Sequence, residues 1–206
     1  MRPARRRRDF GRRVGSNEVT PVGYMAKFIA SPPEWFEAER VTDIYSFSPH
    51  GSKNFEYLID DWRKGEVEPN NAYRLYDSPE LIRQLASTHH VDLSDSMLFF
   101  YEVYEQEYVE DDAQWYPFDL HFPTRRIVAP SVKTLEGYDV VAVEARMPDC
   151  SPLCPECGAV ATLVETNEHC LLPSLESARN SLNEGKFDNT EPGPFQIFAV
   201  YSVDWP

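Results

Sequence analysis

No apolar run in this chain approaches the roughly 18 residues that a membrane-spanning helix needs. Glycine is scarce, at nine of 206 residues. No Walker A loop, Rossmann glycine triplet or G-x-S-x-G elbow is present. A phosphate cradle, a dinucleotide turn and a strained serine nucleophile are therefore not encoded by any recognisable motif. Cysteine is also sparse, and all four residues fall between Cys150 and Cys170. Basic residues number 20 against 34 acidic ones. From Glu102 to Phe118 there is no Lys, Arg or His.

The charges that are present are segregated. Residues 1–24 hold seven arginines against Asp9 and Glu18, a net +5, and residues 25–206 carry 13 basic and 32 acidic groups, a net −19. A body of that sign repels nucleic acid and steers basic partners toward it. The arginine-rich stretch reads as a disordered tail over 1–24. Within it Arg7-Arg8-Asp9-Phe10 resembles the core of a twin-arginine export signal, but the apolar segment that should follow is missing. Met25 reads as a natural start of the first strand. With no secretory signal in view, the expected location is cytoplasmic, with no membrane association.

Residues 25–206 read as one α+β domain. The strand signals are Lys27–Ala30, Met97–Val109, Tyr138–Met147, Ala159–Glu165 and Phe195–Val203, chosen for β-branched and aromatic content. Tyr45–Ser48 is a weaker strand or turn. Helix signals cover Glu34–Arg40, Asn54–Lys64, the segment from Ser78 to Thr88, and Ser174–Glu184. In the second, Phe55, Leu58, Ile59 and Trp62 make one stripe. In the third, Pro79 sits at the first helical position. In the last, Ser174 caps and Gly185 closes. Segments 110–134 and 186–194 read as loops, and no internal repeat is visible. The elements do not alternate regularly, so the expectation is a mainly antiparallel sheet packed against two or three helices.

Cys154-Pro-Glu-Cys157-Gly158 resembles the knuckle of a zinc ribbon. Two intervening residues let both thiolates reach one tetrahedral ion at about 2.3 Å. The expected ligands are Cys154, Cys157 and Cys170 with Cys150 as the fourth, or His169 in its place. Neighbouring strand residues point to opposite faces, so His169 and Cys170 should not both ligate. Four protein ligands close the shell, which makes the ion structural and residues 150–172 a zinc-knuckle lobe. Buried thiols in a reducing cytosol, or disulfides, are the competing readings.

Two clusters bear on function. The first is Glu102, Glu105, Glu107, Glu110, Asp111 and Asp112 with the nearby Trp115 and Tyr116. It suits a face for a basic protein, with acids steering association and aromatics anchoring it. In outline the chain resembles bacterial immunity proteins against nuclease toxins: small, acidic and poor in motifs. That likeness is compositional, and it implies a binding module with no catalytic residue. The second cluster is His89, His90 and Asp92, with His121 as a further candidate, which would serve the alternative, a metal-dependent hydrolase. A helix C-terminal turn competes with that reading. A nucleic-acid adaptor is disfavoured, since residues 150–172 carry no Lys or Arg.

Overall fold

The computed structural model describes residues 18–29, 31–47, 71, 73–118, 127–143, 151–155, 157–190 and 192–206, and the backbone of 52–54. The strands are β1 (Val19–Ile29), β2 (Ser52–Asn54), β3 (Met97–Val109), β4 (Gln114–Pro117), β5 (Thr134–Ala142) and β6 (Phe195–Val203). The helices among the described residues are α1 (Pro79–Thr88) and α2 (Leu175–Asn183). All strand pairings are antiparallel, in the order β2-β1-β3-β6-β5, and β4 pairs with the far end of β3. This is an α+β fold. No helix among the described residues is long and apolar enough to cross a membrane.

β3 and β6 form the centre because their alternation gives each strand two apolar faces. Phe99, Tyr101 and Val103 of β3 join Phe198 and Val200 of β6 on one face. Leu98 and Phe100 lie on the other, beneath Ile82 and Ala86 of α1. Ile197 and Ala199 share that second face with Ala178 and Leu182 of α2. Each helix starts at a serine that satisfies an otherwise orphaned amide. Ser78 Oγ accepts from the Leu81 amide, and Ser174 Oγ from the Ser177 amide in a reciprocal capping box. Such caps are each worth about 1 kcal/mol.

The two halves of the sheet repeat one another. In β1 a register shift precedes Gly23, which pairs with Tyr101, and in β5 one precedes Gly137, which pairs with Val200. Tyr101 pairs with Val200, and the flanking pairs are arranged symmetrically about them: Phe100 with Tyr201 and Glu102 with Ala199. Each glycine receives a loop opened by an asparagine. Asn71 Nδ2 donates to Val22 O at 2.6 Å, and Asn167 Nδ2 donates to Glu136 O at 2.7 Å. Tyr24 then bridges to Tyr76, and Tyr138 to Leu172. Asn71, Leu75 and Ser78 stand at the same spacing as Asn167, Leu171 and Ser174. The absence of an internal repeat is thus corrected: strand, asparagine loop, capped helix and strand occur twice, about a pseudo-twofold axis.

Several other expectations change. β1 begins at Val19, inside the segment read as a tail, because Val22 and Tyr24 are buried in the sheet. Glu34–Arg40 forms turns instead of a helix, with Phe36 buried and Trp35 59% exposed. Ala159–Glu165 is not a strand. Ala159 takes φ 54° and a single 3₁₀ turn follows at Val160–Thr162, burying Val160 and Ala161 in the main core. Leu153, Cys170 and Leu172 join the same core, so this segment is continuous with the domain. β4 lies within a stretch read as loop. Asn54 ends β2, and the rest of the Asn54–Lys64 helix lies outside the described residues, as do residues 144–147 of the expected Tyr138–Met147 strand.

Candidate functional site

The acidic cluster is built as a hairpin. β3 runs past the end of β1, and its last four residues pair with β4: Val109 with Gln114, Tyr108 with Trp115, Glu107 with Tyr116, Gln106 with Pro117. The connection is a 3₁₀ turn at Glu110–Asp112, closed by Ala113 at φ 49°. Asp111 and Asp112 are exposed on that turn, and Glu105, Glu107 and Glu110 are partly exposed. Tyr116, 37% exposed, donates from its hydroxyl to Asp112 Oδ2 at 2.8 Å. Trp115 stacks obliquely on Tyr108 with ring centroids 5.2 Å apart. Its indole N–H donates to Asn183 Oδ1 at 3.0 Å, and the Arg179 guanidinium lies 5.8 Å from the ring centre.

Glu102 leaves the expected face. It sits mid-strand between Pro21 of β1 and Ala199 of β6, and is buried. Lys133 Nζ donates to Glu102 Oε1 at 2.6 Å and lies 3.9 Å from the centre of the Tyr201 ring. A carboxylate paired this deeply serves the fold. The projecting acidic set is therefore Glu105, Glu107, Glu110, Asp111 and Asp112.

A second constellation was not visible in the sequence. Lys27 and Asp139 alternate with Ala26 and Val140, which puts them on the face of Phe99 and Phe198, and both are fully buried. They hold a strap, Val41–Phe47, whose Tyr45 and Phe47 pack on this face while its Val41 and Ile44 join the core that includes α2. Lys27 Nζ donates to Tyr45 O at 2.9 Å and also to Ser46 O. Asp139 Oδ2 accepts the Phe47 amide at 2.5 Å, and Oδ1 accepts from Ser151 Oγ and the Val140 amide. Burial pulls the Lys27 ammonium down to about 8, against the opposing pull of Asp139. Burial pushes the Asp139 carboxyl up to about 6, opposed by Ser151, Phe47 and Lys27. The strap continues onto the asparagine loop of the second half. Thr42 N–H donates to Glu168 O, and Tyr45 N–H to His169 O.

The cysteines lie beside this pair. Cys154 and Cys170 are thiols buried completely in the core, and Cys157 is disulfide-bonded. Cys170 Sγ donates to Leu153 O at 3.5 Å, and burial pushes its thiol far up. His169 points elsewhere. Its ring stacks on Tyr45 with centroids 4.1 Å apart, Nδ1 lies 3.7 Å from Asp43, and Nε2 lies 3.8 Å from Glu136. A zinc site needs deprotonated, converging thiolates. A bridged Cys157 and a His169 ring stacked on Tyr45 do not converge with Cys154 and Cys170 on one ion, and Cys150 lies outside the described residues. No group of three His, Cys, Asp or Glu among the described residues is placed to hold a metal.

His89 and Asp92 close a helix. His89 is the C-cap of α1, its amide donating to Leu85 O. His90 follows at φ 56°. Asp92 Oδ1 accepts the Ser94 amide at 2.9 Å, and hydrogen bonds from Ser94 pull its carboxyl below the usual range. His121 lies outside the described residues. No known protein family, curated protein or solved structure matches the chain.

Proposed function

We propose that this chain is a binding module for a basic protein, with the β3–β4 hairpin as its steering surface and no catalytic residue assigned. The observation that carries the reading is the hairpin itself. Five carboxylates and the Tyr116 ring project on an element that contains no basic residue from Glu102 to Phe118. Clustered charge of one sign raises the rate at which an oppositely charged partner arrives, while aromatic side chains supply contact area. Tyr116, tied to Asp112, and Trp115, tied to Asn183, are held in place before any partner arrives. Less ordering is then left to oppose binding. A nuclease toxin fits the partner's chemistry, since proteins that bind nucleic acid carry a basic surface. In that setting the chain would act as an immunity or antitoxin protein.

The test is affinity capture with the full chain and with a Glu107→Lys, Asp111→Lys, Asp112→Lys variant, at about 50 and about 300 mM salt, a range that shortens the screening length more than twofold. The reading expects one stoichiometric basic protein, held by the native chain at low salt, weakened at high salt, and lost from the variant. Capture that is indifferent to the three substitutions overturns it.

A further inference from the structure

We infer that the groove between residues 37–40 and 161–166, with the exposed side chains that flank it, is a second docking site, for a partner segment that carries a cationic side chain beside an apolar one. This rests on the basic-partner reading above and assigns to it an anchoring surface separate from the hairpin.

The groove has a volume of about 400 Å³. Its floor is apolar and fixed: Ala161 is buried, and Ala38 and Val164 pack against the main core. Its rim is acidic, with Glu37, Glu39 and Glu165 among the lining residues against one cation, Arg40. Arg40 Nη1 reaches across to Glu165 Oε1 at 2.8 Å, but both side chains are about three-quarters exposed. An exposed pair of that kind is weak and exchangeable, so an incoming cation can take over Glu165. Two exposed apolar side chains adjoin the lining residues in sequence: Trp35, 59% exposed, precedes Glu37 by two positions, and Leu163, 66% exposed, lies between Thr162 and Val164. Phe36 meets Trp35 edge-on at 6.2 Å and supports its ring. Exposed aromatic and aliphatic groups flanking an acid-rimmed groove are the elements of an interface anchor surrounded by steering charge. Charge decides the occupant. A second copy of this chain would bring a net −14 to a carboxylate rim, whereas a basic segment is attracted to it.

The experiment uses the full chain and two labelled synthetic peptides, one alternating lysine with leucine and one alternating lysine with serine, followed by fluorescence anisotropy. The native chain should bind the leucine peptide about tenfold more tightly, the scale of burying an apolar side chain in a pocket. Trp35→Ala with Leu163→Ser should abolish that preference. Glu37→Lys with Glu39→Lys should weaken both peptides. All four side chains are exposed, and a thermal melt confirms that the variants keep the fold. The inference is overturned if the native chain shows no preference, or if the preference survives Trp35→Ala with Leu163→Ser. It is also overturned if removing residues 1–17 raises affinity sharply, since the chain's own arginines would then be the occupant. Asp111→Lys with Asp112→Lys separates the two surfaces. Should only that pair reduce binding, the hairpin stands and the groove falls; should only the groove variants do so, the reverse holds.

Discussion

Lys27 and Asp139 grip one strap from opposite sides. The ammonium takes the carbonyls of Tyr45 and Ser46, and the carboxylate takes the next amide, that of Phe47. Both residues are wholly buried, one on β1 and one on β5, so a segment of the first half is fastened to the second through buried charge. Burying charge is expensive, and a well-packed apolar pair could fill the same space. The polar grip instead fixes where the strap lies, which in turn sets Tyr45 against His169 and Phe47 between Tyr101 and Phe198.

Removing one member of this pair should cost far more than removing both. Lys27→Met or Asp139→Asn alone should lose about 3–5 kcal/mol, because each leaves a buried group unpaired. The double variant should lose less than the sum of the two. Urea unfolding of the three variants checks this, and strict additivity would show that the two residues act independently.

The same pair fixes a dependence on pH. Asp139 rises from 3.8 to about 6 in the fold, so its contribution is present below about 3.8 and is lost as pH rises through 6. Lys27 falls from 10.5 to about 8, so its contribution is present above about 10.5 and is lost as pH falls through 8. Between 6 and 8 both are charged and their joint contribution is smallest. Replacing both by Met and Asn should flatten the stability profile on each side of neutrality. A profile identical to that of the native chain would contradict the assignment.

Gly23 and Gly137 should respond alike to alanine. Their φ values are 135° and 155°, a region that side chains rarely adopt, and an added Cβ would lie 2.7 Å from Leu75 Cβ or Leu171 Cβ. Each substitution should cost at least about 2 kcal/mol, from backbone strain plus the clash. Equal shifts in denaturation midpoint are the mark of the pseudo-twofold repeat, and a harmless substitution at either site would contradict its tight seat.

The cysteines give a count. Denatured without reductant, the chain should titrate two thiols, Cys154 and Cys170, against four after reduction, with zinc well below one per chain. Four thiols without reductant, accompanied by one tightly held zinc, would restore the knuckle and refute the disulfide at Cys157.

Much of the fold was legible where burial alternates along a strand. Met97–Val109 and Phe195–Val203 are legible to their observed ends because both faces of each are filled by large side chains. The helices from Ser78 and Ser174 announced themselves through their caps. Ala159–Glu165 misled because a short apolar run looks the same whether it is extended or folded into one turn, and here the left-handed Ala159 decides. The repeat was hidden because its halves share only scattered residues, Asn71 with Asn167 and Ser78 with Ser174. Their common spacing was the available signal. Lys27 and Asp139 could not be recognised as a unit, since 112 positions separate them and only the sheet brings them under one strap. The carboxylates of the hairpin were visible as composition, whereas the burial of Glu102 depended on Lys133 arriving from another segment.

The association rate of the captured basic partner, measured against ionic strength, tests the central claim most directly. The native chain should show a rate that falls by at least about tenfold between roughly 50 and 300 mM salt, and reversal at Glu107, Asp111 and Asp112 should slow association at low salt and flatten that slope. A steep slope that survives the three reversals would place the steering field elsewhere on the molecule and contradict the hairpin as the binding surface.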